Sequence, residues 1–124
     1  MEFKIDTKPA YTLITPEAGT VDANLAAALT TKCRELTESG SANFIIDLKN
    51  CSRADVSSSP ALAELHEQCY GEQHSLVFTG LQEPVLQFFR EQELHETLHI
   101  TPTLAEAVDI VSMEILERDL FGED

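Results

Sequence analysis

Phe44-Ile45-Ile46-Asp47-Leu48 is followed by Lys49-Asn50-Cys51-Ser52-Arg53-Ala54-Asp55-Val56-Ser57-Ser58-Ser59-Pro60, and then by Leu62, Leu65 and Cys69. The first run is short, apolar and β-branched, which predicts a central strand covered on both faces. The second is polar and rich in turn formers. Leu62, Leu65 and Cys69 fall three and four residues apart, which makes one helical face, and Gly71 is expected to close that helix. A buried strand, a loop and an amphipathic helix in this order form one unit of a parallel α/β sheet.

The rest of the chain extends that unit. Phe3 and Ile5 alternate with Lys4 and Asp6 as in a half-buried strand, and Tyr11–Ile14 reads as its antiparallel neighbour. Asp22 is placed to cap a helix whose apolar face is Leu25, Leu29, Cys33 and Leu36. Gly40 lies just past its end, where a left-handed residue is needed. Leu76–Thr79 repeats the buried-strand pattern. Pro84, Val85, Leu86, Phe88 and Phe89 open a third helix, and Leu98–Ile100 reads as an edge strand. Thr103 with Glu106 forms a capping box before Leu104, Ala107, Val108, Val111 and Ile115. The acidic tail Glu117–Asp124 is expected to fray. The predicted order is β-β-α-β-α-β-α-β-α. This is a single α/β domain over residues 1–124, a mixed sheet of four to five strands with four helices. Its acidic C-terminal helix and tail lie near 104–124.

Charge narrows the function. The net charge is −14 over 124 residues. Residues 54–124 carry only Arg90 and Arg118 as bases, against many acids. Such a surface repels phosphate backbones and anionic lipid heads, so direct binding of nucleic acid or membrane is disfavoured. Cys33, Cys51 and Cys69 stand alone, and an odd count without a C-x-x-C pair argues for reduced thiols in a cytoplasmic protein. The chain shows no charged-plus-apolar leader and no apolar run of membrane-spanning length.

The loop after the central strand is the richest candidate site. Open α/β sheets place ligand and modification sites at the carboxyl ends of their strands. A helix start there exposes free N–H groups and a partial positive charge, which favour a phosphate on a nearby serine. Ser and Asp at such a place also serve as simple caps.

Phe44-Ile45-Ile46-Asp47-Leu48-Lys49-Asn50 together with Ala54-Asp55-Val56-Ser57-Ser58 resembles the signature of STAS domains, whose prototypes are bacterial anti-sigma factor antagonists. Val21-Asp22-Ala23 resembles the start of that family's first helix. Leu76–Leu81 resembles a later strand with its exit, and Thr101–Ala107 resembles the entry to the final helix. Met113–Leu120 is similar to the tails of stand-alone members. The resemblance implies a binding module rather than an enzyme, with no cofactor and no metal. Its partner would be an anti-sigma factor, itself a serine kinase of the histidine-kinase-like ATPase type, with a phosphatase opposing it. Aligned on Asp55, the phosphoacceptor is Ser57. Asp55, Val56, Ser58, Ser59, Pro60 and Asp22 would form the partner-binding surface. A phosphate there would add about −1.5 to −2 charge at the interface.

The loop departs from the signature. Val56 replaces the first serine, Ser58 the glycine, and Ser59 the leucine, and Pro60 follows. Residues before proline avoid helical geometry. Ser59 is therefore expected to be the N-cap, which would leave Ser57 in the loop. A second reading is a constitutive binder or oligomeric regulator without a phosphoswitch. The first strand, at Phe3–Ile5, leaves homodimer pairing open to it.

Two motifs point elsewhere. His95-Glu96-Thr97-Leu98-His99 matches H-E-x-x-H, a zinc hydrolase pattern that needs both histidines on one helical turn with Glu96 as base. Pro102 and the edge-strand pattern at Leu98–Ile100 oppose that helix, and His66 and His74 read as surface residues. Asp47, at the end of a strand, is placed like the phosphoacceptor of a receiver domain. No lysine follows Lys49 to complete such a site, so Asp47 is expected to bond the following loop.

Overall fold

The computed structural model describes residues 1–121. A five-stranded sheet has the order β1 (Phe3–Thr7), β2 (Thr12–Pro16), β4 (Phe44–Asp47), β6 (Leu76–Thr79), β7 (His99–Thr101). β1 pairs antiparallel with β2, and the other neighbours are parallel. β3 (Thr20–Val21) and β5 (Arg53–Ala54) form a separate two-stranded parallel ladder. The helices are α1 (Ala23–Glu38), α2 (Ser59–Gly71), α3 (Glu83–Glu91) and α4 (Leu104–Phe121).

The strand period of two divides the core. Ile14, Phe44, Ile46 and Phe78 face α1, α2 and α3 and pack on Leu25, Leu29, Leu62, Leu65, Val85 and Phe89. Phe78 and Phe89 meet edge to face at 6.2 Å. Ile45 and Val77 point the other way, onto Ala107 and Val111 of α4. Three helices thus cover one face of the sheet, and α4 lies on the other. Burial of each large side chain contributes roughly 1.5–3 kcal/mol, and the two central strands are fully buried through Phe44–Ile46 and Leu76–Phe78.

The helix ends follow their local chemistry. Asp22 Oδ1 accepts the Leu25 N–H at 2.9 Å and caps α1. Gly40 has φ +109°, and the Ser41 N–H closes the end on Leu36 O at 2.9 Å. α2 ends differently from the sequence expectation. Gly71 lies inside the helix, and Gln73 carries the left-handed backbone at φ 66°. The Gln73 N–H reaches Tyr70 O and the His74 N–H reaches Cys69 O, so the helix still closes by the Schellman pattern. At α4, the Thr103 hydroxyl accepts the Glu106 N–H and bonds the Glu106 carboxylate. The expected frayed tail is helical through Phe121, and residues 122–124 lie outside the described residues.

Candidate functional site

The site is built where the β3–β5 ladder joins two distant loops. The Ser52 N–H donates to Gly19 O and the Asp55 N–H to Val21 O, both at 2.8 Å. This lays the segment after β4 beside the start of α1. Asp22 and Asp55, 33 positions apart in sequence, then face one open cleft of about 390 Å³. Thr20, Ala23, Asn24, Arg53 and Ser57 complete its lining.

Ser57 sits at the centre of this geometry. Its Oγ accepts the Ala23 N–H from the first turn of α1 at 3.2 Å. Its own N–H donates to Asp55 Oδ2 at 3.0 Å. Hydrogen bonding from the Ser57 hydroxyl, and then from its N–H, holds the Asp55 carboxyl below its ordinary range. Arg53 Nε donates to Thr20 Oγ1 at 3.0 Å, which keeps a guanidinium in the same cleft.

The expected start of α2 is corrected here. Ser59 is not the N-cap, since its backbone is helical at φ −57° and ψ −52°. Asp55 caps a 3-10 turn over Val56–Ser58 that runs directly into α2. Pro60 restricts Ser59, but the tighter 3-10 turn ahead of it leaves Pro60 in the first turn, where its missing N–H costs no bond. Ser57 therefore lies on the first helical turn and not in the loop.

The other loop residues divide by direction. Val56 is 60% exposed on the rim, and Pro60 is also exposed. Ser58 is fully buried and donates to Asp55 O at 2.8 Å. Ser59 Oγ reaches Gln92 Oε1 at 3.4 Å. Sequence reasoning missed Thr20, Ala23, Asn24 and Arg53. Two-residue strands carry no periodicity, so nothing in the chain announced the ladder that brings them in.

At the adjacent strand ends, Asp47 Oδ1 accepts the Lys49 N–H at 3.0 Å, the loop bond expected of it. Gly80, at φ +72°, lies where a β-carbon would run into that carboxylate.

The H-E-x-x-H segment is not a zinc site. His95 and Glu96 lie on a 3-10 turn at Leu94–Glu96, and His99 lies on β7. No three potential metal ligands converge among the described residues. His99 Nε2 instead lies 3.5 Å from Glu114 Oε2 on α4. His66 and His74 are half-buried rather than on the open surface. His66 stacks against Tyr70 and His99 at ring separations of 4.6 and 5.6 Å. The Tyr70 hydroxyl donates to Glu114 Oε1 at 2.8 Å, while Arg118 donates to Asn43 Oδ1 and Ser75 Oγ at 3.2 and 2.9 Å. This network ties α4 to α2 and to the loops that enter β4 and β6. Burial pushes the Cys33 thiol up to about 12 and those of Cys51 and Cys69 up to about 11, so none is poised as a nucleophile.

A family model described as "Mlab, STAS domain" matches residues 18–105. The chain belongs to the STAS domain family. Among solved structures, this STAS domain is similar to an anti-sigma factor antagonist from Mycobacterium paratuberculosis, with 17% identity, TM-score 0.74, and coverage of 90% of this chain and 93% of that one. It is similar to RsbS of Moorella thermoacetica, with 17% identity, TM-score 0.71, and coverage of 90% and 96%. It is also similar to the anti-sigma factor antagonist SpoIIAA in its unphosphorylated form, with 15% identity, TM-score 0.68, and coverage of 90% and 96%. At these identities the likeness is one of fold. No curated protein matches the sequence. Among the described residues, no helix is long and apolar enough to cross a membrane.

Proposed function

We propose that this STAS domain is an anti-sigma factor antagonist-type regulator that binds a protein partner through the Ser57 turn and is switched by phosphorylation of Ser57. The observation that carries the reading is the placement of Ser57. Its exposed hydroxyl lies between the first N–H of α1 and the Asp55 carboxylate, beside the exposed apolar Val56. An apolar contact ringed by polar groups suits protein recognition. The partner in this reading is an anti-sigma factor with serine kinase activity of the histidine-kinase-like ATPase type, opposed by a phosphatase.

The physics of the switch follows from the cleft. A phosphate on Ser57 gains the N-terminal partial charge of α1 and the nearby Arg53 guanidinium. It is repelled by Asp22 and Asp55. The modified turn is therefore held in place rather than unfolded, and what changes is the charge and hydration of the surface that meets the partner. A partner edge fitted to a neutral serine then faces a dianion.

The test begins with protein isolated from its host under phosphatase inhibition. Peptide mass spectrometry is expected to find phosphate on Ser57. In parallel, S57A is expected to capture a kinase-type partner and S57D to lose it. Full coverage of the peptide with no phosphate across growth states, together with equal capture by both variants, overturns the switch and leaves a constitutive binder.

A further inference from the structure

α4 is apolar on two opposite sides. One side is accounted for, since Ala107 and Val111 are buried on Ile45 and Val77. Met113 lies two residues beyond Val111, about 200° around the helix. Met113, Leu116 and Leu120 recur at spacings of three and four, which aligns them on one outward stripe. They are 60%, 58% and 63% exposed, and Phe121 beside them is 81% exposed. Four large apolar side chains in nine successive residues, all facing water, mark an interaction surface rather than scattered exposure.

The charges around the stripe choose its occupant. Glu106, Asp109, Glu117 and Asp119 are exposed along the same helix. Arg118, the only base in α4, is turned inward onto Asn43 and Ser75. Along α4 the outward face is therefore an apolar centre with an acidic rim, and the helix's one base, Arg118, is directed to its side and paired with Glu114. A second copy would bring acids against acids, because the whole of residues 54–124 is strongly acidic. The complement is an apolar stripe flanked by Lys or Arg.

We infer that the outward face of α4 is a second docking surface, and that it takes a basic amphipathic helix of another protein. The surface lies on the face of the sheet opposite α1 and α2, so it is separate from the Ser57 turn. A partner held there would leave the Ser57 turn free to engage and release a different one.

The probe is a synthetic peptide helix with a leucine stripe flanked by lysines. Two controls share its length, one with glutamate for lysine and one a scrambled lysine–leucine peptide. Each is titrated into the isotope-labelled full chain while backbone amides are followed by NMR. The lysine helix is expected to shift amides around 109–121 saturably, to weaken with salt, and to bind S57D as well as the parent. The triple variant M113S/L116S/L120S is expected to lose about tenfold or more in affinity while keeping the parent's thermal midpoint, since these side chains are exposed. Comparable binding of either control, shifts centred elsewhere, or a destabilised triple variant overturns the inference. So does a dimer in sedimentation velocity that the triple variant disperses, because a second copy would then cover the stripe.

Discussion

Replacement of Gly80 by alanine tests how the carboxyl ends of β4 and β6 are held together. Gly80 adopts φ +72°, a left-handed conformation that costs an ordinary residue roughly 1–2 kcal/mol. A β-carbon built there overlaps Oδ1 of Asp47 and crowds its Cγ. To relieve the overlap Asp47 must rotate and give up its bond to the Lys49 N–H, a further cost of about 1 kcal/mol. Alanine also narrows the unfolded ensemble, which returns about 0.4–1 kcal/mol. The net expectation for G80A is a loss of about 1–2.5 kcal/mol, read from urea unfolding at constant m-value. The steric share is separable, because D47A removes both crowding atoms. In the D47A background G80A should therefore cost about 1 kcal/mol less than in the parent. Additive costs in this cycle would refute the account of contact between Asp47 and Gly80. A G80A variant as stable as the parent would refute the strain as well.

Five further outcomes follow from the same structure. Q73G relieves the left-handed side-chain residue after α2 and should raise stability by up to about 1 kcal/mol in urea unfolding. Asp55 is held below its ordinary carboxylate value near 3.8, so its stabilisation is present at neutral pH and is lost as pH falls through the lowered folded value; D55N should flatten that acid limb in a series of pH-dependent melts. His66 is held below its ordinary 6.5 by burial first and then by His99, against the pull of Glu114 and Glu67; the unfolded chain then takes the proton first, stability should fall as pH drops below that value, and H66Q should remove that part of the slope. Three buried thiols should react with a disulfide reagent only in denaturant, and zinc should not raise the thermal midpoint, since His95, Glu96 and His99 do not converge.

The sequence was most legible where one element alone carries the pattern. Strands β4 and β6 are buried on both faces, so Phe44–Leu48 and Leu76–Thr79 read as continuous apolar runs. The cap at Asp22, the left-handed turn at Gly40 and the Thr103–Glu106 pair depend on neighbours within four residues, and each is found in place. The α2 start was harder, because Pro60 argued locally for a late N-cap while Asp55 nucleated the 3-10 turn ahead of it. The end of α2 was misplaced for a related reason. Glycine is the favoured left-handed residue, yet the packing of Cys69 and Tyr70 fixes where the helix must stop, and that position holds Gln73.

The chain by itself determined the alternation of buried strands and amphipathic helices, the strong acidity of its second half, and the candidate serine turn after the central strand. Those properties reside in composition and in periods of 2 and 3.6 residues, which need no partner to be read. Tertiary structure decided which distant groups share a site. Pairing of β3 with β5 brings Asp22, Ala23 and Arg53 to Ser57, and β7, flanked by α2 on one face of the sheet and α4 on the other, gathers His66, His99 and Glu114 into one cluster. It also decided which apolar face of α4 is buried and which is left to water. Both faces carry apolar residues at helical spacing, and only the sheet, by covering Ala107 and Val111, distinguishes them.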